Sequence, residues 1–217
     1  MKYFFTLVVT FTLFFACDKK TKSESIAENS PKTVLLNDSN FVMEKVAKLL
    51  NYSEVEAKFG KENLTKDSTI LDPEGKKIQV SVLFPNTVNE LIINWDSKKI
   101  FEKMHSVVVV SDSTGYQGQW HSSHGIQPFQ HLNEIVDLNG KPITISGFDW
   151  AYGGHLVSWE GGKLDNKRLT CRFGCLNKNV ISETDYKSVC GPTEFNVSLE
   201  AIKKLNPVLI ELTVMAN

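Results

Sequence analysis

The sequence predicts an α+β fold, with short helices packed on antiparallel sheet, and three observations carry that expectation. Two early stretches repeat apolar residues at three- and four-residue spacing, the mark of a single buried helix face. From Ile78 the apolar period drops to two, and further short apolar strand runs follow. No helical pattern is interleaved between those strands, which argues against a parallel βα arrangement.

The first helix is expected over Ser39 to Leu50, where Phe41, Val42, Val46, Leu49 and Leu50 share a face and Ser39 or Asn40 offers an N-cap. A second runs from Ser53 to Phe59. Ser53 with Glu56 three residues on matches a capping box, and Gly60 is a stop. Residues 61–76 are polar and end in the turn signal Asp72-Pro73-Glu74-Gly75. Ile78, Val80 and Val82 then alternate with polar neighbours as a half-buried strand, and Pro85-Asn86 breaks it. Leu91 to Trp95 and Met104 to Ser111 are the next two strands, separated by Asp96-Ser97-Lys98-Lys99.

The second half repeats this logic. His131 to Leu138 is a short helix stopped at Asn139-Gly140, with Leu132, Ile135, Val136 and Leu138 on its buried side. A strand from Ile143 to Tyr152, the pair Gly153-Gly154 and a strand through Leu156 to Trp159 read as a hairpin. A last helix, Ser198 to Leu205, leads through Asn206-Pro207 into a strand from Val208 to Val214. The landmarks Gly60-Lys61 and Trp95-Asp96 match Gly140-Lys141 and Trp159-Glu160, although the gap between them is longer in the first half. Two tandem helix-sheet repeats, 33–115 and 116–217, are therefore expected.

The segment before residue 33 carries a different message. Lys2 precedes an uncharged, Phe- and Leu-rich run from Tyr3 to Ala16, shorter than the ~20 residues a helix needs to span a bilayer. A basic start, a short apolar core and a small residue before a processing point describe an export signal over 1–16. Leu13-Phe14-Phe15-Ala16-Cys17 resembles a bacterial lipobox, making Cys17 the candidate for lipidation and 17–32, charged and polar, a disordered tether. Cleavage after Ala16 without lipidation is the alternative. The chain has a formal net charge of −1, and losing Lys2 with the leader makes it −2. That balance, with no basic stripe, argues against a nucleic-acid partner.

Cys171, Cys175 and Cys190 are then the candidates for one disulfide in an oxidising compartment, with the pairing left open. The Asn-x-Ser/Thr sequons at Asn37, Asn51, Asn63 and Asn196 would matter only in a eukaryotic secreted protein.

Gly125-Ile126, Leu138-Asn139-Gly140-Lys141-Pro142, Gly147-Phe148-Asp149-Trp150-Ala151-Tyr152-Gly153-Gly154 and Trp159-Glu160-Gly161-Gly162 form a pattern that resembles an uncharacterised family of bacterial envelope lipoproteins. The short helix ending in a Gly-Lys stop before a sheet is also similar, at the level of fold, to outer-membrane assembly lipoproteins and β-lactamase-inhibitor proteins. The resemblance implies an envelope location, in the outer membrane or on the periplasmic face. It brings no catalytic residues.

Three groups of residues are candidates for function. Phe148, Asp149, Trp150, Tyr152 and Trp159 form a possible binding patch on the expected hairpin, since rigid aromatics anchor interfaces at low entropic cost. Gly147 marks the position where the apolar parity switches, so a β-bulge is expected there. His121, His124 and His131 cluster in sequence, but the two-residue gap between the first two is too short for a finger-type zinc site, and no metal or cofactor is expected. Asp149, Glu160 and Asp165 with His155 could form an acid/base pair, yet nucleophile-elbow, phosphate-loop and dinucleotide motifs are absent. These readings favour a non-catalytic envelope lipoprotein that binds or scaffolds another envelope protein or a surface glycan, held at the membrane by its N-terminal lipid. The alternatives are a secreted, zinc-assisted hydrolase using His121, His124 or His155 with Asp149, and an inhibitor of a secreted enzyme.

Overall fold

A computed structural model describes residues 41–111 and 115–217; Cys17, the leader and the tether lie outside them. Helix α1 spans Met43–Ala47 and is shorter than expected. Val42, just before it, is extended instead and bridged to His121, with the Met43 amide donating to the His121 carbonyl at 2.9 Å; the expected caps Ser39 and Asn40 lie outside the described residues. Helix α2 spans Tyr52–Phe59. Its cap is Asn51, not Ser53: the Asn51 side chain accepts from the Glu54 amide, and the Glu54 carboxylate reaches back to the Leu50 amide at 2.9 Å. The expected box at Ser53 and Glu56 is thus replaced by an Asn51 side-chain cap, with Glu54 accepting from the residue before the cap and not from the cap amide a capping box requires.

Strands β1 (Leu64–Leu71), β2 (Lys77–Leu83), β3 (Leu91–Trp95) and β4 (Met104–Val110) follow as an antiparallel meander. The turn at Asp72–Gly75 joins β1 to β2, with Gly75 donating to the Asp72 carbonyl at 2.9 Å. β1 was not expected, because Leu64-Thr-Lys-Asp-Ser-Thr-Ile-Leu71 lacks apolar alternation. It is an edge strand, where polar residues face water on both sides and also discourage pairing with other chains.

Helix α3 (Leu132–Asn139) is capped by His131 and stopped by Gly140. β5 (Thr144–Ser146), β6 (Leu156–Ser158) and the later β8 (Glu194–Asn196) form a three-stranded sheet with β5 central. β7 (Leu169–Gly174), α4 (Glu183–Lys187), α5 (Glu200–Leu205) and β9 (Val208–Met215) complete the chain. Among the described residues the large sheet is six-stranded and wholly antiparallel, ordered β1-β2-β3-β4-β9-β7.

This order changes the expected picture of two tandem units. β9 and β7 come from the second half, and β9 pairs with β4 of the first while β7 pairs with β9, so 33–115 and 116–217 share one sheet. They also share one core. Phe41, Phe84 and Trp120 pack together at its first-half end, and Ile135, Ile145 and Phe173 continue it without a break. Trp95 and Trp159, matched in the sequence comparison, sit in different places: the first ends a strand of the large sheet, the second follows β6 of the small one.

The expected long strand from Ile143 to Tyr152 stops at Ser146, and Gly147 does not form a bulge. Gly147 runs hard against neighbouring backbone, where a Cβ would stand 2.6 Å from the Gly191 carbonyl oxygen and 2.8 Å from that of Val189. Beyond it the chain folds back through Asp149, at φ 59, to Gly154, at φ 74. A Cβ on Gly154 would collide with the Phe173 carbonyl oxygen. That contact brings the 149–155 loop onto β7, where the Phe173 amide donates to the Gly154 carbonyl at 2.8 Å and His155 bridges to Arg172.

Candidate functional site

Strand parity gives the large sheet two unlike faces. Ile93, Val107, Val109, Leu212 and Phe173 point into the core. The opposite face carries Ile92, Asn94, Val108, Thr213, Glu211 and Arg172, and it lines an open cleft of about 1150 Å³. Cross-strand register arranges these residues in rows. Asn94 stands opposite Ser106 and donates to its hydroxyl at 3.0 Å. Ile92, Val108 and Thr213 form a second row. The third row runs Val110, Glu211, Arg172 and, across the bridge, His155.

The two edges of the sheet meet over this cleft. Tyr152 belongs to the loop docked on β7, whereas Glu74 is at the tip of the β1–β2 hairpin on the far edge. The Tyr152 hydroxyl donates to Glu74 Oε1 at 2.7 Å. The sheet therefore curls far enough for a side-chain strap to close its rim, part-way to a barrel.

The third row is electrically incomplete. Arg172 Nη1 stands 3.9 Å from Glu211 Oε2, a long ion pair. Arg172 Nε and His155 Nε2 are shielded from solvent and have no hydrogen-bond partner among the described residues. Buried polar atoms are nearly always paired, so two adjacent orphans set this row apart from the rest of the sheet. Burial, seconded by Arg172, holds the His155 pKa below its ordinary value and favours the neutral ring. Burial also raises the Glu211 carboxyl above its usual range, against the pull of Arg172.

The sequence-identified patch divides. Phe148, 4 % exposed, and Trp159, 6 % exposed, are core residues. Burying a ring of this size stabilises the fold by ~1.5–3 kcal/mol, and the Trp159 indole is further held by the Leu169 carbonyl at 3.1 Å. Trp150 and Tyr152 are 37 % and 36 % exposed and lie edge to face, their ring centres 5.4 Å apart. Tyr152 lines the cleft and contacts the His155 ring at 6.0 Å.

Asp149 turns to a separate cluster. Its carboxylate accepts from Lys178 Nζ at 2.8 Å, from the Tyr186 hydroxyl at 2.8 Å and from the Cys190 thiol at 3.8 Å. The Lys178 hydrogen bond is the main reason its pKa falls below the usual value. Asp149 and His155, paired in the hydrolase expectation, thus serve different neighbours. Cys171, Cys175 and Cys190 are free thiols, with Cys171 buried on the core face of β7. Burial pushes the Cys175 thiol up to about 12.

The histidines do not converge. His121 Nδ1 lies 2.9 Å from the Gln119 carbonyl, and His131 caps α3 with Nδ1 3.0 Å from the Asn206 carbonyl. Among the described residues no group of three or more His, Cys, Asp or Glu side chains is placed to hold a metal ion. Glu74, Arg172 and Glu211 were not singled out from sequence. Glu211 did carry a signal, as the one charged residue in the apolar strand Val-Leu-Ile-Glu-Leu-Thr-Val-Met. No family model, curated protein or solved structure matches this chain.

Proposed function

We propose that this chain is a non-catalytic cell-envelope lipoprotein, exported by its leader and anchored through Cys17, that works as a binding module with the cleft as its binding site. The observation that carries the reading is the in-register row of Glu211, Arg172 and His155, with two shielded nitrogens unpartnered at the wall of a strapped cleft. Binding is favoured over bond-breaking because Asp149 is engaged by Lys178 and Tyr186, which leaves His155 beside a cation instead of a carboxylate orienter. The resemblance to envelope lipoproteins supports the same location.

Two measurements test this. Mass spectrometry of the mature N-terminus should find residue 17 as an acylated cysteine; an intact Met1 start would end the envelope reading. Full chain purified from envelopes should carry a co-purifying component that Arg172→Lys reduces at least about tenfold, a loss of ~1.4 kcal/mol in binding. Equal recovery by both proteins would remove the cleft from its function.

A further inference from the structure

The proposed binding role leaves the occupant of the cleft undefined, and the cleft's own chemistry narrows it. Its ionised lining is balanced: Lys76, Lys77 and Arg172 stand against Asp72, Asp96 and Glu211. A charged ligand would upset that balance in a partly shielded site, where unpaired charge is costly. The third row offers the N–H donors of the Arg172 guanidinium and a carboxylate acceptor at Glu211, side chains 36 % and 27 % exposed, with the His155 ring beside them in the cleft lining. Donors and acceptors side by side match hydroxyl groups, each of which does both.

The neighbouring surface is apolar. Ile92 and Val108 form the floor, and Val110 at the end of the third row is 54 % exposed, a large β-branched side chain left to solvent. The strap from Tyr152 to Glu74 crosses the rim, so a folded domain meets an obstacle that a thin molecule can pass beneath. The volume, about 1150 Å³, lies just above the range of small-molecule sites, which run to roughly 1,000 Å³.

We propose that the cleft binds an uncharged amphiphile with a hydroxyl-rich head, the head meeting Arg172, His155 and Glu211 and the alkyl chain lying along Val110, Val108 and Ile92. Sugar-headed and glycerol-headed lipids share this chemistry. The inference rests on the binding-module reading but is separable from it by experiment.

The test uses the full chain in phosphatidylcholine nanodiscs, with empty nanodiscs as the blank, titrated by calorimetry with hexyl glucoside, hexyl glycerol ether, hexanoate, hexylammonium and free glucose. Saturable binding of the glucoside, the glycerol ether or both, about tenfold tighter than of either ion and of glucose, is expected. Which of the two binds tighter identifies the head. Arg172→Lys keeps the positive charge but removes the planar fork of N–H donors, and it should weaken the favoured probe about tenfold with an unchanged unfolding midpoint. Hexanoate or hexylammonium binding as tightly as the neutral probes would overturn the assignment, as would the absence of saturable binding by all five. If no probe binds while Arg172→Lys still strips the co-purifying component, the ligand class is wrong and the binding role stands. If the variant changes neither, both fall.

Discussion

Two polar clusters flank the 149–155 loop, and they are built to opposite specifications. At one end Asp149 receives a lysine, a tyrosine hydroxyl and a thiol, so its acceptor capacity is well used. At the other, Arg172 and His155 each keep a shielded nitrogen without a partner, and the nearest carboxylate is 3.9 Å away. The first cluster joins the loop to the 178–190 segment and is complete without a ligand. The second stands on the cleft wall with hydrogen-bonding capacity left over. Partner count, more than the identity of the charged residues, separates the two clusters.

The comparison breaks most severely at the loop's anchor. Gly154→Ala places a Cβ against the Phe173 carbonyl at a positive φ, which should cost about 3 kcal/mol by denaturant unfolding and part His155 from Arg172. Unfolding within about 0.5 kcal/mol of the parent chain would show that the loop is not pressed on β7. Asp149→Ala is the next largest change. It strips three donors of their acceptor, and because the side chain is half exposed the loss should be about 1 kcal/mol. Capture of the envelope component should be unaltered; a parallel loss of capture would merge the two clusters into one site.

The smallest effect is the most discriminating. His155 has a depressed pKa in the folded chain, faced by Arg172, with Glu211 beyond it and Tyr152 against its ring. The unfolded chain therefore binds the proton more readily. Stability from this group is full above the ordinary value of 6.5 and declines as pH falls below it. Glu211 acts in the opposite sense above its ordinary value of 4.5, because its folded pKa is raised. Asp149, whose folded pKa is lowered, loses its contribution only below the ordinary carboxylate value of 3.8. Between roughly pH 7.5 and 5.5 the parent chain should lose more stability than His155→Gln. Identical slopes in chemical denaturation would mean the ring is not held neutral by its surroundings.

Much of the fold was legible because alternation and caps are local. Ile78 to Val82 declared itself by period, Leu91 to Trp95, Met104 onward and Val208 onward by short apolar runs, and α3 by its Gly140 stop. The misses have physical causes. β1 is an edge strand with few buried positions, so no alternation was there to read. The strand expected through Tyr152 failed at Gly147, whose lack of a side chain serves close backbone approach and not re-aiming. In the patch, Tyr152 and Trp150 are the two rings left part-exposed. Phe148 and Trp159 were not separable from them, since an aromatic run looks the same whichever ring faces the core.

What the amino-acid sequence determined by itself is parity: which side chains of a strand share a face, where helices begin and end, and that Glu211 interrupts an apolar run. Which face receives the helices, and which stays open, was decided only by tertiary structure. Pairing of β4 with β9 and of β9 with β7 joins segments far apart in the chain, and their register alone sets Glu211 beside Arg172 and Arg172 beside His155. Local periodicity knows the direction of a side chain but not its partner, because the partner is supplied by a strand that folds back from elsewhere.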